Sequence, residues 1–360
     1  MTPQSLNFAG TAVALAKPRI TTKALTNDDT AEVISFLRER ATHTVVMSSF
    51  ILDHGIQSEL NRGTFYAARD ESNSVQGVAL IGHATFIEAR GDAVIRCFAG
   101  LAQQFPQIHM VLGEHKTVDE FWRVYAGAGQ PLRQRHRETL FELNETPLDV
   151  EEVPELRLAT LNDLRQVAAV QAYLAYEESG INPLLTDRTG FLDRCRRRIE
   201  RNRVWTWILN DEVIFKADLI SETPDAIYLE GIYVNPEERN RGVGRRCLTQ
   251  LARNLLVRAK SIVVLVNENK TDAHRFFRRV GFVARSVYDT LFLERPSRNG
   301  VDAAPFGDPG EHHEPSTSED PVHGFSYRGC DSRFAVLSDQ PANRTVGRFV
   351  RSPVLSDHRD

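Results

Sequence analysis

Between residues 156 and 293 the apolar positions change period repeatedly, and each change marks an element. Residues 156–159 read as a short strand. Residues 162–178 read as a helix, because Leu164, Val167, Val170 and Leu174 recur at helical spacing. Gly180 and Pro183 break it, and residues 187–201 form a second, basic helix. Three extended runs follow, at 204–209, 213–219 and 226–234. Asn210-Asp211 and Thr223-Pro224-Asp225 separate them with turn-forming residues, which predicts an antiparallel meander. A long helix at 242–259 carries Leu248, Leu251, Ala252, Leu255 and Leu256 on one face. A strand at 262–266, a helix at 271–280 and a strand around 283–293 complete an α+β arrangement with a mixed sheet.

The first half reads as a weaker version of the same plan. Each half opens with a helix entered at Asn-Asp (Asn27-Asp28, Asn162-Asp163), with Val33 or Val167 on its apolar face. Each later has an apolar strand leading to a Lys-Thr pair that opens a helix, Lys116-Thr117 and Lys270-Thr271. Aromatic residues follow at similar offsets, Phe121 and Trp122, then Phe276 and Phe277. An acidic, proline-containing stretch at 144–154 separates the halves. The expected division is a flexible leader at 1–18, a first domain at 19–147, a second at 153–297 and a disordered tail at 298–360. Pro, Gly, Ser, His and Asp dominate the tail without apolar periodicity. Its His312-His313 pair is expected to be solvated rather than metal-binding. In the leader, Ala14-Leu15-Ala16 imitates a signal-peptidase site, but no Lys or Arg precedes its short apolar core, so export is not expected.

At ~150 residues per domain, 360 residues accommodate two domains with some excess. No apolar run approaches the ~18 residues of a membrane-spanning helix. A formal charge of −4 gives the chain as a whole no electrostatic reason to bind nucleic acid. Cys97, Cys195, Cys247 and Cys330 are far apart, which argues against a zinc site or disulfide scaffold and fits a reducing cytoplasm. Neither a metal nor a membrane partner is expected. The basic residues are 38 Arg and only 6 Lys, a bias that reads mostly as background.

One segment departs from that background. Pro236-Glu237-Glu238-Arg239-Asn240-Arg241-Gly242-Val243-Gly244-Arg245 lies between a meander strand and the long helix. Gly242 and Gly244 let the backbone approach a phosphate and turn N–H groups toward it. The helix adds unpaired donors and the positive end of its dipole. Arg239, Arg241, Arg245 and Arg246 supply charge around that point. The corresponding first-half loop, Glu88-Ala89-Arg90-Gly91-Asp92-Ala93, has one glycine, and that half is not expected to bind the same anion.

Residues 229–236 leading into Arg239-x-x-Gly242-x-Gly244 resemble motif A of the GNAT superfamily of acyl-CoA-dependent N-acetyltransferases. Val266-Asn267-Glu268-Asn269, Ala273, Phe276-Phe277 and Gly281-Phe282 resemble its motif B. The likeness covers about 140 residues strongly and the first 150 modestly, as in bacterial proteins where a degenerate GNAT-like domain precedes a GNAT domain. Phe215-Lys216-Ala217 and Glu177-Glu178-x-Gly180 are further points of likeness. The fold implied is a tandem of GNAT-like domains, each a mostly antiparallel mixed sheet flanked by helices.

The resemblance also implies a pose for acetyl-CoA. Its pyrophosphate would sit on the loop formed by Arg239, Asn240, Arg241, Gly242, Val243, Gly244 and Arg245. Its pantetheine would pair with the main chain of Ile232, Tyr233 and Val234, with Asn269 and Phe277 as further contacts. Acyl transfer requires a neutral amine, and a lysine-like amine with pKa ~10.4 is almost wholly protonated at pH 7, so a base is useful. Glu230 is the candidate, with pairing to an arginine as its alternative role. The family's usual tyrosine acid is replaced by Phe277, leaving Tyr288 or Tyr233 as substitutes, and Lys270 stands where the family has asparagine. The acceptor pocket is expected near Tyr173, Tyr176, Glu177 and Glu178, whose carboxylates could receive a cationic amine or simply form a solvated helix face. Trp205 and Trp207 read as core.

The function expected is transfer of an acetyl or other acyl group from acyl-CoA to an amine, on a small molecule or a peptide, by direct attack. The alternative is an acyl-CoA-binding regulatory module without catalysis. Transfer from an aminoacyl-tRNA would need a basic RNA-binding face that the charge does not offer. A second copy of the chain is kept open as a partner.

Overall fold

The computed structural model describes residues 19–294, apart from 146, 148–150 and 181, with Ser179 placed through its backbone only. The leader, the tail and His312-His313 lie outside the described residues. The first half runs β1 (Thr21–Ala24), α1 (Thr30–Arg38), α2 (Ala41–His54), β2 (Gly63–Arg69), β3 (Val75–Gly82), β4 (Ala84–Ala89), α3 (Asp92–Ala102), β5 (Met110–Glu114), α4 (His115–Tyr125) and β6 (Leu132–Leu143). The second runs β7 (Arg157–Leu158), α5 (Leu164–Ser179), a short α6 (Pro183–Thr186), α7 (Arg188–Glu200), β8 (Val204–Leu209), β9 (Glu212–Glu222), β10 (Ile227–Val234), α8 (Val243–Leu256), β11 (Ile262–Asn267), α9 (Thr271–Val280) and β12 (Val283–Leu293). Apart from α6, the order of elements is the same in both.

The same local device starts each half. Asp29 Oδ2 accepts from Thr26 N at 2.8 Å, and Asp163 Oδ2 accepts from Thr160 N at 2.7 Å, closing a capping box ahead of α1 and of α5. The repeat therefore aligns Thr26 with Thr160 and Asp29 with Asp163. The two Asn-Asp pairs are out of register by one residue, a correction to the sequence expectation. A second correction concerns Lys116-Thr117, which lies inside α4, whereas Lys270-Thr271 does open α9.

Among the described residues, twelve strands form one sheet in the order β1-β2-β3-β4-β5-β12-β6-β11-β10-β9-β8-β7. The halves exchange their last strands. β6 pairs with β11, from Leu143 opposite Ile262 to Glu138 opposite Asn267. β12 pairs with β5, from Tyr288 opposite Glu114 to Phe292 opposite Met110. β6 and β12 also pair with each other at the centre of the sheet. Backbone groups of both halves are thus satisfied across the junction, and the outer edges fall to β1 and β7, only four and two residues long.

Strand alternation sorts the side chains. On β9, Phe215, Ala217 and Leu219 join the core beneath α8 and α9, with Trp205 and Trp207 packed against it as expected. Lys216 and Asp218 point the other way and are fully buried. α3 and α4 cover the equivalent side of the first half through Val94, Phe98, Val118 and Phe121. Residues of α1 and α2 share one apolar cluster with Tyr228, Val263 and Leu265, so the first half also shields the second half's sheet.

Candidate functional site

Two parallel strand pairs end early, one in each half. β10 and β11 pair only at Ile227–Ile262 and Tyr228–Val263. Beyond that, β10 carries a bulge: Glu230 faces Asp218 and Tyr233 faces Lys216, so Gly231 and Ile232 together oppose Ala217. Gly231 has φ +57°, and a Cβ there would lie 3.0 Å from Lys216 Nζ and 3.2 Å from Gln171 Oε1. Beneath the bulge, Lys216 Nζ is 2.7 Å from both Asp218 Oδ1 and Gln171 Oε1. Arg198 Nη1 donates to Asp218 Oδ2 at 2.7 Å. Burial holds the Lys216 ammonium below its usual pKa, opposed by Asp218. Burial alone would lower the Arg198 pKa, but Asp218 and Glu230 raise it.

After β10 the chain turns through Asn235, whose side chain accepts from Glu237 N at 3.0 Å. Arg239 Nε donates to Val234 O at 3.2 Å. Asn240 (φ +60°) and Gly242 (φ +81°) are left-handed, and Gly242 caps α8 without a side-chain cap bond. A Cβ on Gly242 would meet nothing within 4 Å, so its requirement is conformational. A Cβ on Gly244 would be 2.8 Å from Val234 Cγ2 and 3.3 Å from Phe276 Cε2, so its requirement is close packing of helix on strand.

This loop borders a cleft of about 760 Å³ between α8 and α9. Arg239, Asn240, Gly242, Gly244 and Arg245 line it from one side, and Arg275, Phe276 and Arg279 from the other. Glu238 and Asp272 add acidic groups, with Asp272 paired to Arg275. Two of the expected arginines are elsewhere. Arg241 pairs with Glu238 at 3.2 Å and does not line the cleft, and Arg246 reaches Glu151 at 2.7 Å. Arg275 and Arg279 take their place. Their i, i+4 spacing on an amphipathic helix was the signal available in the sequence.

Residues 168–282 match the family described as Acetyltransferase (GNAT) family. The chain carries a GNAT acetyltransferase-family domain. No curated protein matches it in sequence. A Drosophila protein of known structure shares the fold over 77% of this chain and 99% of its own, at 13% identity and a TM-score of 0.59. Weaker likenesses include a GCN5-related N-acetyltransferase from Sphaerobacter thermophilus (13% identity, 77% and 96% coverage, TM-score 0.49). Another is a tandem GNAT protein from the clavulanic acid biosynthesis pathway (12% identity, 78% and 100% coverage, TM-score 0.48).

Within the GNAT domain, several expected residues are brought to the cleft and others are not. Ile232 and Val243 are buried in the core, so only their main chain can meet a ligand; Val234 lines the cleft from beneath. Phe277 is wholly buried, stacked on Phe141 at 6.1 Å and edge-on to Phe282, and it is Phe276 that lines the cleft. Asn269 lies on a different cavity, of about 380 Å³, with Glu138, Glu177, Glu178 and Lys270. Burial lowers the Lys270 pKa against the pull of Glu178, Glu177 and Glu138. Tyr233 turns its ring to Tyr173, 6.3 Å away, and lines a further cavity beside α5. Burial pushes its hydroxyl pKa up. Tyr173 and Tyr176 are exposed. Glu230 is nearly buried on the α7 side of the sheet, where it lines a cavity between the halves.

Tyr288 is not part of the GNAT domain's cleft. Strand exchange carries it on β12 into the first half, where His43 Nδ1 lies 2.8 Å from its hydroxyl. That place corresponds to the GNAT domain's strand gap: β4 and β5 pair only from Ala84–Met110 to Phe86–Leu112. Glu88, two residues past the last pair, is the counterpart of Glu230. Arg40 bridges Glu88 at 3.0 Å and Glu114 at 2.6 Å. The remaining cavity is about 40 Å³, near the volume of one water. The first-half loop has no cradle; Arg90 pairs with Glu39 at 2.5 Å. One acidic cluster was not anticipated: His115, Asp119 and Asp289 bring potential ligand atoms within 4.8 Å. Asp289 is already committed to Arg135, Arg137 and His115, which disfavours a cation there.

Proposed function

We propose that the GNAT domain transfers an acyl group from acyl-CoA to an amine. The observation that carries this reading is the alignment of three features: parallel strands parting at a bulge, a left-handed glycine opening α8, and four arginines across one cleft. The cleft suits a polyanionic nucleotide. N–H groups at the start of α8 have no partners inside the helix, and a phosphate would satisfy them with the dipole's help. Gly242 leaves the approach open, while Arg239, Arg245, Arg275 and Arg279 supply charge. The main chain of Ile232 to Val234 lies beyond the last β10–β11 pair, on the side from which the pantetheine amides would approach, with Val234 O already accepting from Arg239 Nε. Acetyl-CoA brings the activated carbonyl as a thioester.

Glu230 would take the proton from the attacking amine, directly or through water. Protonation of the departing thiolate would fall to solvent: Phe277 has no hydroxyl, Tyr288 sits in the other half, and Tyr233 turns to Tyr173 and the cavity beside α5 rather than the cleft. That same arrangement favours a second reading, a domain that binds acyl-CoA without turnover. Release of free thiol from acetyl-CoA across a panel of amines separates the two. The first reading expects release that falls ~100-fold or more in Glu230→Gln, and binding with no turnover on any amine supports the second.

A further inference from the structure

The cavity that holds Glu230 speaks to the acceptor, and the inference rests on the acyltransferase reading above. It measures about 220 Å³ and opens between α2, the β3–β4 turn and α7. Six arginines line it, Arg62, Arg194, Arg197, Arg198, Arg201 and Arg203, against two carboxylates, Asp53 and Glu230. Some of this charge is compensated. Arg203 pairs with Asp53 and Arg198 with Asp218, both at 2.7 Å. Arg194 spends Nη1 on Asp187 at 3.1 Å, while its Nη2 is buried with no hydrogen-bond partner among the described residues. Arg201 Nη1 lies 3.2 Å from His54 Nε2. Burial and the Arg201 charge hold His54 below its ordinary pKa, and Arg201 has no ion pair among the described residues. Arg197 has no ion pair among the described residues.

Converging guanidinium groups repel one another, and an entering anion removes that repulsion while gaining charge-assisted hydrogen bonds. Glu230 stands at the other end of the requirement. It is two residues past the last β10–β11 pair, beside the gap where the thioester would lie, and it suits an amine. Glu138, Glu177 and Glu178 line a different cavity, together with Lys270 and Arg135, and Glu230 does not line it.

We propose that the acceptor is a small amine whose far end carries a phosphate or carboxylate, held by Arg194, Arg197 and Arg201 while the amino group meets Glu230. The amine nitrogen forms a bond to the thioester carbonyl carbon and the C–S bond breaks. The amine gives its proton to Glu230, solvent protonates the thiolate, and the products are an amide and free CoA thiol.

The test uses the full chain saturated with CoA and three probes of similar size: O-phosphoethanolamine, β-alanine and ethanolamine. Calorimetric titration is expected to show one or both anionic amines binding ~10-fold or more tightly than ethanolamine, and the tighter of the two identifies the anion. In Arg197→Gln/Arg201→Gln, both exposed positions chosen to spare the fold, that preference is expected to disappear with the CoA dissociation constant unchanged. Equal binding of the three amines, or an undiminished preference in the variant, overturns the proposal. Thiol release, measured with acetyl-CoA in place of CoA, tells the two readings apart. Transfer to ethanolamine as readily as to the anionic amines removes the anion pocket and keeps the acyltransferase. Anionic amines that bind without releasing thiol keep the pocket and remove the transfer.

Discussion

Substitution at Gly242 separates two things the loop does. Its φ of +81° places it in the left-handed region, where an L side chain costs ~1–2 kcal/mol. Nothing lies within 4 Å of a Cβ built there, so Gly242→Ala suffers no clash and loses about that conformational amount. Asn tolerates the left-handed region better, so Gly242→Asn is expected to be the more stable of the two. Its larger side chain, however, enters the open side of the cleft, where a phosphate would meet the first N–H groups of α8. Losing one charge-assisted hydrogen bond costs ~1.5–3 kcal/mol, a ~10- to 150-fold weaker dissociation constant. Urea denaturation measures the first effect and calorimetric titration with CoA the second. The expected stability order is wild type, Asn, Ala, while the affinity order places Asn last. Wild-type CoA affinity in Gly242→Asn would refute the assignment of this cleft to the phosphates.

Other predictions follow from the buried charges, the caps and the strand exchange. Asp218→Ala removes the carboxylate that pairs both Lys216 and Arg198 in the sheet and is expected to lower unfolding free energy by ~3–5 kcal/mol in urea. The bond from Arg157 and those from Thr160 hold the Asp163 carboxyl at about 2, below its ordinary 3.8. Its contribution is therefore complete above about pH 5, falls as pH drops through 3.8 toward 2, and is gone by about pH 1. Thermal melts of Asp163→Asn should show a loss of about 1 kcal/mol at pH 7, after screening by solvent, a smaller one near pH 2 and none near pH 1. Because β6 and β12 lie in each other's half, residues 1–150 and 151–360 are expected to stay unfolded when expressed separately and to assemble when co-expressed, as judged by circular dichroism. A stable fold from either piece alone would contradict the exchanged topology.

Local elements were largely legible in the chain. The bounds of α9, β8 and β12 coincide with the periodic runs at 271–280, 204–209 and 283–293, because period and turn chemistry are properties of neighbouring residues. The partner of a strand is not such a property. β12 alternates in the same way whichever β5-like neighbour it joins, so the exchange is invisible in the sequence, and Tyr288 lies in the first half rather than the second. Two other differences come from one helical step. Arg246 and Phe277 each follow the residue that does line the cleft, Arg245 and Phe276, and a turn of ~100° per residue aims them elsewhere. The arginines of α7 were visible as a basic helix. Their convergence with Arg62 and Glu230 required knowing that α2 of the first half packs over β9 and β10.

The measurement that bears most directly on the account is an amide-resolved NMR titration of the full chain with acetyl-CoA. Saturable shifts are expected at Ile232 to Val234 and at Asn240 to Arg246, with none of comparable size at Gly91 to Val94 of the first half. Shifts centred on the first half, or none that saturate, would contradict it.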